Sequence, residues 1–109
     1  MEQTFNQRPC NGGNWPIVQG ISVTVSDDHD KVENIRVWVD FRGVGSQVPN
    51  NPMNFDAPNY YGSVGPFDHS LIADEGGIVT VFVVAQDSAG ARSELRGNDV
   101  NLLKCTVPI

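Results

Sequence analysis

The chain has 109 residues, seven of them basic and thirteen acidic, and a formal net charge of -6. This length corresponds to one domain, and a hydrophobic fraction of 39% is sufficient for a modest core, so we expect a folded protein. Binding to nucleic acids or to anionic membranes requires clustered Lys and Arg, and this acidic chain has no such run, so we expect neither kind of partner. No stretch approaches the roughly 18–20 apolar residues that span a bilayer, and we expect no membrane insertion.

The first 16 residues are polar and rich in turn-forming types, which predicts an irregular entry segment before a domain over residues 17–109. The extreme start, residues 1–6, lacks the apolar segment of a signal peptide. We therefore expect this domain to belong to a longer chain.

Short β-rich runs then alternate with Gly and Pro roughly every eight to twelve residues, a spacing typical of a β-sandwich or barrel. In residues 17–26 apolar and polar side chains alternate, which predicts a half-buried strand. The other predicted strands are 34–42, 60–65, 78–86, a last strand within 99–107, and a short edge strand at 53–55 inside the Pro-rich loop 43–58. The best helix candidate, residues 93–104, is interrupted by Gly97-Asn98-Asp99, so no helix is predicted.

Cys10 and Cys105 are the two cysteines of the chain and stand near its two ends. We predict a disulfide between them, which implies an oxidising compartment and an extracellular or cell-surface location. Closing a loop of about 95 residues contributes roughly 4–5 kcal/mol in the chain-entropy model. Two free thiols in a cytosolic protein are the alternative, but small β domains often depend on such a covalent link.

Several stretches together are similar to a known group of modules. They are Cys10 before Gly12-Gly13, VTVSD at residues 23–27, YYGSVGPF at residues 60–67, VFVVAQDSAG at residues 81–90, and the final Cys105. In these stretches the chain resembles bacterial immunoglobulin-like and fibronectin type III-like modules of secreted or surface proteins, over about residues 10–107. Its long loop at 43–58 departs from the pattern.

The resemblance implies an all-β fold, a two-sheet antiparallel immunoglobulin-like sandwich of about seven strands. It implies a non-catalytic module outside the cytoplasm, acting as a spacer or as a protein-binding or adhesion element of a larger protein. The partner would be another protein or a neighbouring domain. The alternative is a carbohydrate- or calcium-binding accessory module of a secreted enzyme.

An acidic turn is the candidate metal site. In an immunoglobulin-like topology the loops after the second and sixth strands share one pole, which would bring together the carboxylates of Asp27, Asp28, Asp30 and Asp87. Calcium takes six to eight oxygen ligands, so it is the cation such a cluster would hold. However, Asp also accepts backbone hydrogen bonds in turns, and no Asp-x-Asp-x-Asp-Gly loop is present. We therefore predict no cofactor and keep calcium as the alternative.

A second candidate is a protein-binding face around Trp38. If the apolar residues of the strand 34–42 point inward, Trp38 points outward between Arg36 and Arg42. The resemblance places Phe82 on the outside of the neighbouring strand, beside Trp38. Exposed aromatic residues with arginines are typical of interaction hot spots, so this face is a candidate for a partner or for homo-association. Alternatively, the entry segment or the loop 43–58 covers Trp38.

Sugar binding is a third possibility, through Tyr60 and Tyr61 with the surrounding asparagines Asn50, Asn51, Asn54 and Asn59. The alternative is that Tyr60 lies in the core and the asparagines serve turns.

Catalysis is not predicted from the residue inventory. Asp68-His69-Ser70 has the residue types of a catalytic triad, but adjacent residues cannot form its relay. Two histidines exclude a three-His zinc site. We therefore expect that the chain is not an enzyme.

Overall fold

Alternating apolar residues build two β-sheets in the computed structural model, which describes residues 3–10, 12–27 and 30–107, with the backbone alone at 3–6. The described residues contain no α-helix and a single 3₁₀ turn, and no helix among them is long and apolar enough to cross a membrane. The elements are β1 Gln3–Asn6, β2 Gln19–Val23, a 3₁₀ turn Val32–Asn34, β3 Arg36–Gly43, β4 Asn51–Pro52, β5 Asn54–Asp56, β6 Asn59–Val64, β7 Gly77–Gln86, β8 Arg92–Arg96 and β9 Asp99–Leu102.

The larger sheet has the order β1-β9-β7-β3-β4, and β8 also pairs with β7. The smaller sheet has the order β2-β6-β5. All pairs are antiparallel except β1 with β9, which are parallel. The chain is therefore an all-β protein with two sheets, as the sequence predicts.

β8 and β9 follow one another along the same edge of β7. β9 pairs with residues 77–79 and β8 with residues 82–86, and the register shifts by one residue between them. Such a shift is a β-bulge, and it lies at Gly97-Asn98, where the Gly97 N–H donates to the Val81 carbonyl at 2.8 Å. Sequence analysis predicts no strand over 92–96, and this is wrong. All five residues of β8 are exposed and four of them are polar, so the strand carries no burial pattern.

The two sheets enclose one core. On β3 every second residue is buried, and on β7 the buried residues include Val79, Val81 and Val83, as the predicted inward faces require. Val84, predicted to lie outside, is also buried, with 2% exposure. Tyr60 and Val64 close the core from β6. Between them, Gly62 lets the sheets approach, since a Cβ there would lie 3.6 Å from the Val39 side chain and 2.9 Å from Met53.

The entry segment contributes Trp15 to this core, although the sequence predicts an irregular segment over residues 1–16. Residues 3–6 form β1, and Trp15 is fully buried. The Trp15 backbone exchanges two hydrogen bonds of 3.0 Å with Phe67, and its indole N–H donates to the Leu103 carbonyl at 3.0 Å. A single bridging residue among Gly and Asn leaves no periodicity to detect, which explains the difference.

The predicted disulfide between Cys10 and Cys105 is confirmed, with Cα atoms 5.0 Å apart. Next to it the Cys10 N–H donates to the Thr106 carbonyl at 2.8 Å, and the Thr106 N–H donates to the Arg8 carbonyl at 2.9 Å. The two ends of the domain are thus joined by both covalent and backbone hydrogen bonds.

Candidate binding surface

The outer face of the larger sheet carries large and charged side chains rather than small polar ones. Side chains alternate along a strand, so the residues of β3 that alternate with the buried Val37, Val39 and Phe41 point away from the core. The register places Trp38 opposite Val84 and Asp40 opposite Phe82. We call this surface the aromatic–arginine face; its residues are Arg36, Trp38, Asp40, Arg42, Phe82, Arg92, Glu94 and Arg96, while Val84 points to the same side but is buried.

Positive charge is concentrated on this face. Four of the seven basic residues of the chain, Arg36, Arg42, Arg92 and Arg96, lie on it, although the net charge of the protein is -6. In an acidic protein such a concentration makes this face the attractive one for negatively charged groups.

One half of the face is internally neutralised. The Arg42 guanidinium lies 3.9 Å from the centre of the Phe82 ring and pairs with Glu94 at 2.7 Å and Asp40 at 3.0 Å. The hydrogen bond from Arg42 lowers the pKa of Glu94, and the bonds to Glu94 and then Asp40 raise the pKa of Arg42. Arg96 likewise pairs with Asp99 at 2.8 Å. These arginines already have carboxylate partners.

The other half of the face holds two arginines that form no salt bridge with a described carboxylate. Arg36 and Arg92 lie 5.6 Å and 5.2 Å from the centre of the Trp38 ring, and both are exposed. Neither forms a salt bridge with any described residue. A guanidinium stacked on an indole retains its N–H donors at its edge, where they can bind a carboxylate. We call Arg36, Arg92 and the half-buried Trp38 between them the exposed cluster.

A groove of about 460 Å³ adjoins the exposed cluster. It forms because β4 pairs with only Trp38 and Val39 of β3, leaving the start of β3 uncovered. Beneath it the buried Tyr60 hydroxyl lies 2.5 Å from the Val32 carbonyl oxygen and 2.8 Å from that of Ile35. Burial, followed by the charge of Glu33, raises the pKa of Tyr60. The Tyr60 hydroxyl beneath the groove is therefore held in place by two carbonyl oxygens, and its raised pKa favours the protonated form.

The asparagines of the predicted sugar site divide into two groups. Asn51 donates to the Ser63 carbonyl at 3.1 Å, and Asn59 accepts from Thr24 at 2.7 Å, so both stabilise the fold. The Tyr61 side chain, 45% exposed, stands apart from the groove. Asn50 and Asn54 instead line the groove beside the exposed cluster. The structure thus combines part of the predicted sugar site with the predicted protein-binding face.

At the acidic turn the carboxylates bind backbone groups. The Asp27 side chain accepts from the Asp30 N–H at 2.7 Å, and Asp30 accepts from the N–H and hydroxyl of Ser88 at 2.7 and 2.9 Å. Asp87 accepts from two N–H groups of its own turn, and Asp28 lies outside the described residues. Within the ranges that the structure describes, no three His, Cys, Asp or Glu side chains are grouped to hold a metal ion.

Arg92 is the functional candidate that sequence analysis missed. The sequence signal that could have revealed it is the charged residue at every second position, Arg92, Glu94 and Arg96, which is typical of an exposed strand. The signal is weak because β8 contains no buried residue. The chain matches no known family model, and no curated protein or solved structure is significantly similar to it. Its function therefore has to be inferred from the chemistry of this surface.

Proposed function

We propose that this chain is a non-catalytic binding module outside the cytoplasm, which holds an acidic segment of a protein partner on its aromatic–arginine face. The observation that carries the proposal is the exposed cluster: Arg36 and Arg92 flank Trp38 and form no salt bridge with a described carboxylate. Trp and Arg are the residue types most enriched in binding hot spots.

The energetics favour a carboxylate over a neutral group at this position. A guanidinium binds a carboxylate through two parallel hydrogen bonds, and these charge-assisted bonds are roughly twice as strong as neutral ones. Because the indole holds each guanidinium in place, less side-chain freedom is lost on binding. An acidic side chain between Arg36 and Arg92, with an apolar neighbour against Trp38, matches this arrangement.

The fold and the disulfide support the rest of the proposal. Two sheets around one core are compatible with an immunoglobulin-like sandwich, the class that the sequence resembles. A disulfide persists in oxidising compartments, which supports a secreted or cell-surface location. Since Cys10 and Cys105 join the two ends, the module would also serve as a spacer that resists pulling by neighbouring domains.

A second candidate is carbohydrate binding in the groove. It is favoured by Asn50 and Asn54, whose amide groups border the groove next to Trp38. An indole and two amides can bind a sugar ring by stacking and hydrogen bonding. However, the two arginines next to the indole favour an anionic ligand.

The test is a selection from a displayed random-peptide library, followed by titration of the selected peptides. Trp15 is fully buried, so a change of tryptophan fluorescence on binding reports on Trp38. Because Trp38→Ala lacks this signal, its affinity is measured by the fluorescence anisotropy of a labelled peptide. We expect Asp- or Glu-containing peptides, and a loss of affinity of at least about tenfold in Trp38→Ala and in the double variant R36A/R92A. The matched control is Lys104→Ala, an exposed basic residue outside the face, which should bind as the wild type does.

Two results would contradict the proposal. One is selected peptides without acidic residues; the other is unchanged affinity in R36A/R92A. A glycan array that gives ligands dependent on Asn50 and Asn54, with no peptide selected, would establish the carbohydrate function instead.

A further inference from the structure

β8 is an unprotected edge of the larger sheet. It pairs with β7 on one side and with no described strand on the other, and all five of its residues are exposed. The Ala91 carbonyl and the Gly97 N–H both bond towards β7. Since backbone groups alternate in direction along a strand, the N–H and C=O groups of Arg92, Glu94 and Arg96 point to the free edge. This edge offers hydrogen bonds to another extended strand.

Leu95 gives this edge an apolar centre. It lies opposite Val83, on the side of the sheet that faces the core, yet 59% of it is exposed. The smaller sheet does not cover it, and a cleft of about 340 Å³ opens next to it, lined in part by Val23, Val25 and Ala85. An exposed leucine beside free backbone groups indicates an edge that is incomplete in the isolated chain.

We propose that two copies of this chain associate by pairing their β8 strands antiparallel about a twofold axis at Leu95. In this register Leu95 lies opposite Leu95 of the other copy, and Glu94 of each copy lies opposite Arg96 of the other. Glu94 and Arg96 both direct their backbone groups to the free edge, so they form the hydrogen-bonded pairs, and the leucines form the closer pair between them. The edge is complementary to itself, as a twofold interface requires.

The charges of β8 select this register over its neighbours. An axis at Glu94 would place Glu94 opposite its own copy and Arg92 opposite Arg96, which is repulsive. An axis at Ser93 would pair Arg92 with Glu94 but leave Leu95 opposite Ala91, without the contact between two leucines. Only the axis at Leu95 combines opposite charges with mutual burial of the leucine.

The existing ion pairs leave the required atoms available. Glu94 accepts the Arg42 bond through Oε1, and Arg96 donates to Asp99 through Nη2. The second carboxylate oxygen of Glu94 and the Nη1 and Nε groups of Arg96 can therefore bond across the interface. Pairing at β8 extends these ion pairs into a network and does not break them.

The association would also duplicate the binding surface. The two larger sheets become one sheet, so both aromatic–arginine faces lie on the same side. The two β3 strands would be separated by five strand spacings of about 4.8 Å each, or about 24 Å. A partner carrying two acidic segments at that separation would bind both copies at once.

The test is light scattering of the full chain over a range of concentrations. We expect the mass of the wild type to rise from 11.9 kDa towards twice that value. Leu95→Lys places two like charges in close contact and should weaken the dimer by at least about tenfold. The matched control is Val107→Lys, because Val107 is a valine with 74% exposure outside β8, and it should associate like the wild type.

Charge reversal tests the register. Glu94→Arg and Arg96→Glu should each be monomeric, whereas their equimolar mixture restores opposite charges across the axis and should form a mixed dimer. Circular dichroism confirms that each variant is folded. If Arg96→Glu does not fold, concentration-dependent protection of the Glu94 and Arg96 amides against hydrogen exchange in the wild type replaces it.

Three results would overturn the proposal. They are a wild type that stays monomeric at about millimolar concentration, a Leu95→Lys variant that associates like the wild type, and amides of β8 whose exchange does not depend on concentration. Association that is lost in Trp38→Ala but kept in Leu95→Lys would place the interface on the aromatic–arginine face.

Discussion

Among the described residues, arginines contact tryptophan rings at two places, and the two places have opposite surroundings. In the first, which we call the buried cluster, Arg8 lies 4.5 Å from the centre of the Trp15 ring, pairs with Asp74, and is 2% exposed. In the exposed cluster Arg36 and Arg92 lie on Trp38, in contact with solvent and without a salt bridge to any carboxylate that the structure describes. The same side-chain chemistry thus stabilises the fold at one place and remains available for a ligand at the other.

The difference lies in what each guanidinium donates to. Arg8 donates to the carbonyls of Pro9 and Gly13 at 3.1 and 3.2 Å and to the Asp74 carboxylate, so most of its donors are used within the chain. Burial of a charge is costly unless it is paired and hydrogen-bonded, which is why the buried cluster carries this network. The exposed arginines are solvated, and therefore need no such partner until a ligand removes the water.

The largest expected effect concerns the disulfide beside the buried cluster. Replacing Cys10 and Cys105 by serine should lower the free energy of unfolding by about 4–5 kcal/mol, because a loop of 95 residues is released in the unfolded chain. Urea denaturation measures this loss. Peptide binding by the fraction that remains folded should be unchanged, since the exposed cluster lies on another face. An unfolding free energy equal to that of the wild type would show that the backbone bonds alone hold the ends.

Substitution of the two tryptophans separates the clusters directly. Trp15→Ala should cost about 3–5 kcal/mol, because it empties a fully buried site and removes the donor to the Leu103 carbonyl. Trp38→Ala should cost about 1 kcal/mol and act mainly on binding. Thermal and urea unfolding of the two variants measure the contrast. A Trp38→Ala variant as unstable as Trp15→Ala would mean that Trp38 belongs to the core.

Substitution of the arginines should show the same contrast at smaller size. Arg8→Ala should cost about 2 kcal/mol, because the carbonyls of Pro9 and Gly13 lose their donor and Trp15 loses its cover. Arg36→Ala should change stability by no more than about 0.5 kcal/mol, since Arg36 is exposed. Equal costs, measured by urea denaturation, would contradict the distinction between the two clusters.

The smallest effect concerns Tyr60, which lies under the exposed cluster. Tyr60→Phe should cost about 1 kcal/mol by removing the donor to the Val32 and Ile35 carbonyls. The pKa of Tyr60 is raised above its ordinary value of 10.0, chiefly by burial. This contribution to stability is therefore complete below about pH 10 and is lost as the pH rises through the folded-state pKa. Unfolding measured from pH 8 to 11 should show a loss in the wild type that is reduced in Tyr60→Phe.

Much of the fold follows from periodicity. The buried alternation of β3 and β7 is visible in the sequence and correctly predicts which residues enter the core. β8 escaped prediction because an edge strand with five exposed residues leaves no apolar period. Trp15 escaped because it is held by a single bridge to Phe67, a contact between distant positions that no local pattern records.

The same reasoning applies to the candidate site. Alternation alone places Trp38 outside with Arg36 and Arg42, but it treats the two arginines as equivalent. The structure separates them: Arg42 is neutralised by Glu94, which arrives from β8, whereas Arg36 and Arg92 have no carboxylate partner among the described residues. Which arginine lacks a carboxylate partner therefore depends on which strands pair, and this is not visible in the sequence.

By itself, the sequence determined an all-β chain, the inward faces of its long strands and the pairing of its two cysteines. The burial period can be read from consecutive residues, and two cysteines allow only one pairing within the chain. Tertiary structure alone decided which arginines lack a carboxylate partner, that Trp15 of the entry segment enters the core, and that one edge of β8 pairs with no described strand. These depend on the order in which strands pair, because that order sets the neighbours of each side chain across the sheet.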